Sequence, residues 1–332
     1  MALPLHTVSR RDFLRFGAVG LVALPGLGAA PFPAHLAAPK SRVALVRTAD
    51  RRHGVAQALR LLEPGGIAGR RVVLKPNFNT ADEAPGSTHA DTLGQLVLEL
   101  HERGARSVTL GESSGPPSTR RVMEQKGVFD LARELRFEVV NFEELGDAEW
   151  TRFPAAGTHW PDGFAIPRLV TDAEYLVATC CLKTHAYGGV FTMSLKLAVG
   201  LTPKPIRRTL HRSPEMRRMI AELNAAHRPQ LVVLDGVDAF TDGGPSQGER
   251  KQARVMIAGS DRVAVDAVGL AVLKELGANA AIMERPIFRQ EQIARAVELG
   301  LGAAGPQQIE LVTADPESRA YAAKLERILR LG

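Results

Sequence analysis

The sequence predicts an α/β fold, a mainly parallel sheet with helices on both faces and a small insertion around residues 143–172. Short apolar runs alternate with segments of helical period along most of the chain, which is the pattern of consecutive βαβ units. Right-handed crossovers then distribute the helices over both faces. Several of the apolar runs end directly in Lys, Asn, Glu, His or Asp. Those are the positions where an open α/β sheet binds its ligands.

In chain order, residues 43–46 read as a strand and 55–62 as the helix after it. Strand 71–74 is followed by helix 92–102, strand 107–110 by helices across 120–136, and then comes strand 138–142. Residues 175–181, 231–234 and 255–258 are apolar enough to be buried strands, and a helix is expected over 189–199. Strand 309–312 leads into a closing helix over 316–331. Two stretches break the rhythm. Residues 143–172 hold several prolines and both tryptophans, Trp150 and Trp160, and read as a small antiparallel insertion or a lid. Residues 201–229 form a basic helical excursion. Residues 39–332 are therefore expected to make a single domain.

The segment before it is of another kind. Ser9-Arg10-Arg11-Asp12-Phe13-Leu14-Arg15 precedes an uncharged, moderately apolar run interrupted by Gly17, Gly20, Pro25, Gly26 and Gly28. A basic start, a weak apolar middle and small residues such as Gly28-Ala29-Ala30 are the layout of a twin-arginine export signal over residues 1–38. The expected partner is the twin-arginine translocation machinery, which carries folded proteins, and the expected location is the periplasm. Pro31 and Pro39 follow the small-residue sites, so an uncleaved signal acting as a membrane tether is the alternative. The prolines and glycines make it a poor spanning helix.

The formal charge is +6, part of which belongs to Arg10, Arg11 and Arg15. The remainder is too mild to argue for nucleic acid. Basic residues cluster at Lys204, Arg207, Arg208, His211, Arg212, Arg217 and Arg218. They read as a solvated helical face, or more sharply as a surface for an anionic ligand. The two cysteines, Cys180 and Cys181, are neighbours and cannot form an unstrained bridge. Their number excludes an iron–sulfur cluster built from this chain alone.

Five strand ends supply the candidate chemistry. They are Lys75-Pro76-Asn77, Gly111-Glu112-Ser113-Ser114-Gly115, Leu182-Lys183-Thr184-His185, Asp235 to Pro245, and Gly259-Ser260-Asp261. In a parallel sheet these would share one rim. Lys75, Asn77, Ser113, Lys183 and Lys196 are candidates to hold a phosphate or carboxylate. The glycine-bounded turn at 111–115 offers backbone N–H groups to an oxyanion. His185 and Glu112 are the candidate proton-transfer groups. Asp235, Asp238 and Asp242 lie in a glycine-rich stretch, where hard oxygen ligands suit Mg²⁺ or Ca²⁺. Asp-Gly turn chemistry is the plainer account of the same residues.

The order of these motifs, with Ser260-Asp261-Arg262-Val263-Ala264-Val265-Asp266 completing it, resembles the domain of unknown function 362 family of bacteria and archaea. The resemblance spans roughly residues 43–276. It implies an α/β domain, often found beside ferredoxin-like iron–sulfur domains, and carries no assigned reaction. This chain departs from the family pattern in having no cysteine module and in having Lys196-Leu197 where Lys-Asn is usual.

Two functions fit. One is an exported enzyme acting on a phosphate- or carboxylate-bearing small molecule by hydrolysis, isomerisation or group transfer, with or without a divalent metal. The other is a non-catalytic protein that binds a ligand or helps mature a cofactor with the same rim. A redox role for Cys180-Cys181 lacks the Cys-x-x-Cys spacing.

Overall fold

The computed structural model describes residues 40–332; the segment 1–38, expected to be an export signal, lies outside the described residues. The strands are β1 (Ser41–Arg47), β2 (Arg71–Lys75), β3 (Ser107–Glu112), β4 (Glu138–Asn141), β5 (Trp150–Phe153), β6 (Phe164–Pro167), β7 (Tyr175–His185), β8 (Val190–Thr192), β9 (Leu231–Gly243), β10 (Gly248–Gly259) and β11 (Ile309–Val312). Nine of them make one sheet in the order β11-β1-β10-β9-β7-β2-β3-β4, with β8 paired to β7. β2, β3, β4, β7 and β9 run parallel. β10 runs against β9 and β1, and β8 against β7.

Strand periodicity explains the layers. Val43 and Leu45 of β1, with Val232 and Leu234 of β9, face one core. Ala44 and Val46, with Leu231 and Val233, face the other. Such period-two division of apolar residues is what a sheet buried on both sides requires. Helices Arg51–Leu62 and Ala90–Glu102 cover one face. Arg262–Glu275, Glu291–Glu298 and Pro316–Leu331 cover the other. Arg262–Glu275 is buried from Arg262 to Leu273, so its near-continuous apolar sequence suits a helix enclosed all round.

β5 and β6 form the antiparallel insertion expected around 143–172. It is packed onto the body of the fold, and none of its residues lines the cleft described below. Trp160 is buried and donates its indole N–H to the Met219 carbonyl at 3.0 Å. Buried Glu222 accepts from both the His159 backbone N–H and the Arg295 guanidinium. These contacts fasten the insertion to helix Met216–Leu223.

Three local expectations are corrected. Residues 189–199 are not one helix: β8 turns back along β7, and the helical part begins at Ser194, as a single α-turn Ser194–Leu197 followed by a 3-10 turn Ala198–Leu201. β9 and β10 run well past their apolar centres, because their polar halves pair with each other as a hairpin. Antiparallel β10 also carries Gly259-Ser260-Asp261 to the opposite sheet edge. There Asp261 caps helix Arg262–Glu275, accepting from the Val263 and Ala264 N–H groups. The shared rim therefore receives four of the five strand ends.

Candidate functional site

The carboxyl ends of β2, β3 and β7 open into a cavity of about 1440 Å³. That exceeds the usual 300–1,000 Å³ of small-molecule sites, so it is a roomy cleft. Lys75, Asn77, Glu112, Ser113, His185 and Lys196 all line it, and Lys183, Asp235, Asp238 and Asp242 do not. Helix Lys204–Arg212 forms one wall and contributes Lys204, Arg207, Arg208, His211 and Arg212. Among the described residues that line the cavity, Glu112 is the one carboxylate.

Glu112 is already committed. Its Oε1 accepts from Lys75 Nζ at 2.5 Å and from the Ser113 N–H, and its Oε2 from the Phe78 N–H. With both oxygens engaged in this way, the carboxylate serves as a brace for the β2 and β3 ends rather than as a free base. Lys75 is buried beside it, and burial pulls the amine below its ordinary range. Gly200 lets the backbone approach this pair: a Cβ there would lie 2.9 Å from Lys75 Nζ. Ser113 is held too, since Arg207 Nη2 donates to its Oγ at 2.6 Å. Arg207 spends its remaining donors on the carbonyls of Thr202, Ser113 and Ser114. Those carbonyls leave its charge unneutralised, and burial lowers the guanidinium to about 10. Asn77 is buried with its Oδ1 unpaired. Thr192, also on the cavity lining, leaves its Oγ1 unpaired.

Lys196 has the barest setting of the lining cations. It is 9% exposed, and among the described residues nothing pairs with its amine. Burial, reinforced by Lys183 and Arg207, lowers it to about 7. The turn that carries it is held from outside the cavity. Asp266, on helix Arg262–Glu275, accepts from the Ser194 and Leu195 N–H groups and from Ser194 Oγ. Asn224 donates to the Leu195 carbonyl.

His185 lies beside Lys196. Burial, with Lys196, His211 and Lys183 adding to it, drives the imidazole far below its usual range, so it is neutral. Its Nδ1 accepts from the Gly189 N–H at 3.1 Å, which leaves the ring proton on Nε2. The His211 ring stacks on it at 6.2 Å. Gly189 is the seam between the two groups, because a Cβ there would meet His185 Nδ1 at 2.8 Å and Lys196 Cε at 2.9 Å.

Lys183 and the aspartates take other roles. Lys183 is fully buried and donates to the carbonyls of Gly86 at 2.6 Å and Pro245 at 2.8 Å, clasping two loops together. It holds the fold of the rim and reaches no ligand space. Arg51 bridges Asp235 and Asp238, and Arg250 adds a second contact to Asp238. Asp242 lies apart and accepts from Asn279. Arginine occupies the oxygens that a cation would need, and among the described residues no group of three His, Cys, Asp or Glu side chains is placed to hold a metal ion. Two of the three expected metal ligands, Asp235 and Asp238, are thus taken into an internal ion-pair network, and Asp242 is not placed beside them. Cys180 and Cys181 are free and buried, and burial raises both thiols.

The sequence underrated two features. The basic run 204–217 is a cavity wall, and the signal for it was the cluster of charges itself. Asp266 positions Lys196, and its signal was its place in the Ser260–Asp266 motif.

The fold and this rim define a class: α/β proteins with a cationic cleft at the carboxyl edge of a largely parallel sheet. Residues 72–271 match the model of the family described as Domain of unknown function (DUF362), and the chain belongs to that family. It is 27% identical over 227 residues to the thylakoid-associated protein sll1697 of Synechocystis, a match covering 63% of this chain and 66% of the relative, just under two thirds. Among solved structures it is similar to the lactate racemase apoprotein of Thermoanaerobacterium thermosaccharolyticum. The identity is 12% and the TM-score 0.44, over 86% of each chain.

Proposed function

We propose that this protein is an enzyme that binds a phosphate- or carboxylate-bearing small molecule in the cleft and acts on it with His185 and Lys196. The observation that carries this reading is the charge balance of the lining. Seven Lys and Arg side chains face the cleft; Lys75 is paired with Glu112, Lys204 with Glu143 and Arg217 with Glu291, and among the described residues no carboxylate pairs with Lys196, Arg207, Arg208 or Arg212. An enclosed excess of cations attracts an anion and gains from neutralisation by one. Neutral His185 with a proton on Nε2 is a hydrogen-bond donor suited to polarising a carbonyl or phosphoryl oxygen, as a neutral imidazole does where its pKa is held low. Lys196 supplies a basic nitrogen near neutrality. The aspartate network gives no reason to route the chemistry through a metal.

The test is a thermal-shift screen of phosphates, sugar phosphates, nucleotides and carboxylic acids, followed by product analysis on each stabilising compound. The enzyme reading expects turnover that falls at least a hundredfold in His185→Gln. Stabilisation without turnover of any binder would favour the binding or maturation protein instead.

We also propose that residues 1–38 direct export by the twin-arginine route, on the strength of the Arg10-Arg11 motif and the uncharged run after it. Fractionation of wild type and an Arg10→Lys, Arg11→Lys variant tests this. Equal cytoplasmic retention of both would count against export.

A further inference from the structure

We propose that Lys196 is a covalent catalytic lysine whose amine condenses with the carbonyl carbon of an anionic oxo compound held in the cleft. The proposal rests on the anionic-ligand reading above and names the ligand class more closely: an oxo acid, or a phosphorylated aldehyde or ketone.

The geometry of the turn is the first ground. Lys196 is nine-tenths buried, lines the cleft, and has no partner for its nitrogen among the described residues. A lysine kept for structure looks like Lys183, whose ammonium is bonded to two carbonyls. A lysine kept to brace the rim looks like Lys75, which is paired with Glu112. Lys196 has neither arrangement, although its backbone is pinned by Asp266 and Asn224. A fixed backbone with an unengaged terminal amine fits a nucleophile.

The surroundings are the second ground. Lys183 and Arg207 act on Lys196 as like charges and favour the uncharged amine. Desolvation next to other cations is a recognised way to activate a lysine toward carbonyls. His185 lies across Gly189 with its Nε2 proton available for the carbonyl oxygen. The basic wall from helix Lys204–Arg212 offers the counter-charge for the carboxylate or phosphate.

The step balances without a further reactant. The Nζ lone pair forms a bond to the carbonyl carbon and the C–O π bond opens. A proton passes from nitrogen to oxygen to give a carbinolamine. Loss of water then leaves the C=N bond of an imine. No oxidant or reductant is consumed.

The experiment uses the full chain, with pyruvate and dihydroxyacetone phosphate as probes, each with sodium cyanoborohydride to reduce any imine to a stable amine. Peptide mapping by mass spectrometry reads the modified lysine. Inorganic phosphate binding is measured by calorimetry on the same preparation. The expected result is an adduct concentrated on Lys196, at least tenfold above Lys251 or Lys324, forming faster as pH rises through 7 and slowed by added phosphate. An adduct with pyruvate alone supports an oxo acid; one with dihydroxyacetone phosphate alone supports a phosphorylated ketone. The adduct disappears in Lys196→Arg, and the wild-type peptide map stands by itself if that variant fails to fold. Phosphate binding with no adduct on Lys196, or labelling spread evenly over the lysines, overturns the covalent role and leaves the anion site standing. Absence of both phosphate binding and adduct overturns the two readings together.

Discussion

Lys183 and Lys196 show how environment, rather than residue type, decides a role. Both are buried, and both are pushed down, to about 8 and about 7. Lys183 meets carbonyls and Lys196 meets the cleft. From sequence both are anion-binding candidates, Lys183 at a strand end and Lys196 on an expected helix, because neither position says which loop folds over the amine. The difference has a measurable consequence. Lysine titrates ordinarily at 10.5, and Lys196 near 7 in the fold. Between those values the unfolded chain binds more protons, so this residue makes stability rise with pH across that window. Lys196→Met removes the effect. The variant should exceed wild type in urea midpoint most at pH 7, and the gap should shrink toward pH 10; a gap constant with pH would refute the lowered pKa. Gly189→Ala addresses the neighbouring seam. Its Cβ would displace the His185 ring and the Lys196 side chain, and we expect about a tenfold loss of phosphate affinity, about 1.4 kcal/mol, by calorimetry. Unchanged affinity would show that the seam has slack.

At the scale of elements, the apolar centres of the strands were legible because burial on both faces demands them. Residues 309–312 and 316–331 fall where β11 and the closing helix lie. The polar half of the β9–β10 hairpin was not legible, since its pairing is satisfied by backbone and gives no periodic apolar signal. The same blindness placed Asp261 on the wrong edge: an apolar strand reads alike in either direction. The turn Ser194–Leu197 was mistaken for part of a longer helix, and its real support is Asp266, distant in sequence. Asp266→Ala would leave the Ser194 and Leu195 N–H groups buried without that partner, at a cost of about 1–3 kcal/mol. We expect that loss in the urea midpoint, together with slower labelling of Lys196. Slower labelling without a stability change would also fit a positioning role, and normal labelling at reduced stability would confine Asp266 to structure.

For the whole molecule, parallel strands converge their carboxyl ends on one edge, and an antiparallel neighbour removes its own end from that edge. The sheet therefore selects which motifs can cooperate. Lys75, Asn77, Glu112, Ser113, His185 and Lys196 are brought together. Asp235 and Asp238 belong to a separate ion-pair network with Arg51 and Arg250, and Asp242 stands apart with Asn279. The basic helical excursion supplies the missing wall, which composition alone could not place. A cleft of this charge should take up anions more strongly at low pH, where Lys196 carries its proton, and less strongly at high ionic strength. Ligand at a hundred times its dissociation constant would stabilise the fold by about 2.7 kcal/mol. Among the described residues no helix is long and apolar enough to cross a membrane.

The most direct test of the account is calorimetric binding of inorganic phosphate to the full chain at pH 6 and pH 8.5, for wild type and for an Arg208→Gln, His211→Gln, Arg212→Gln variant. The account predicts saturable binding at one site, tighter at pH 6, that weakens at least tenfold in the variant. Binding that is absent, or that is equal in the variant and indifferent to pH, would contradict an anion site in the cleft.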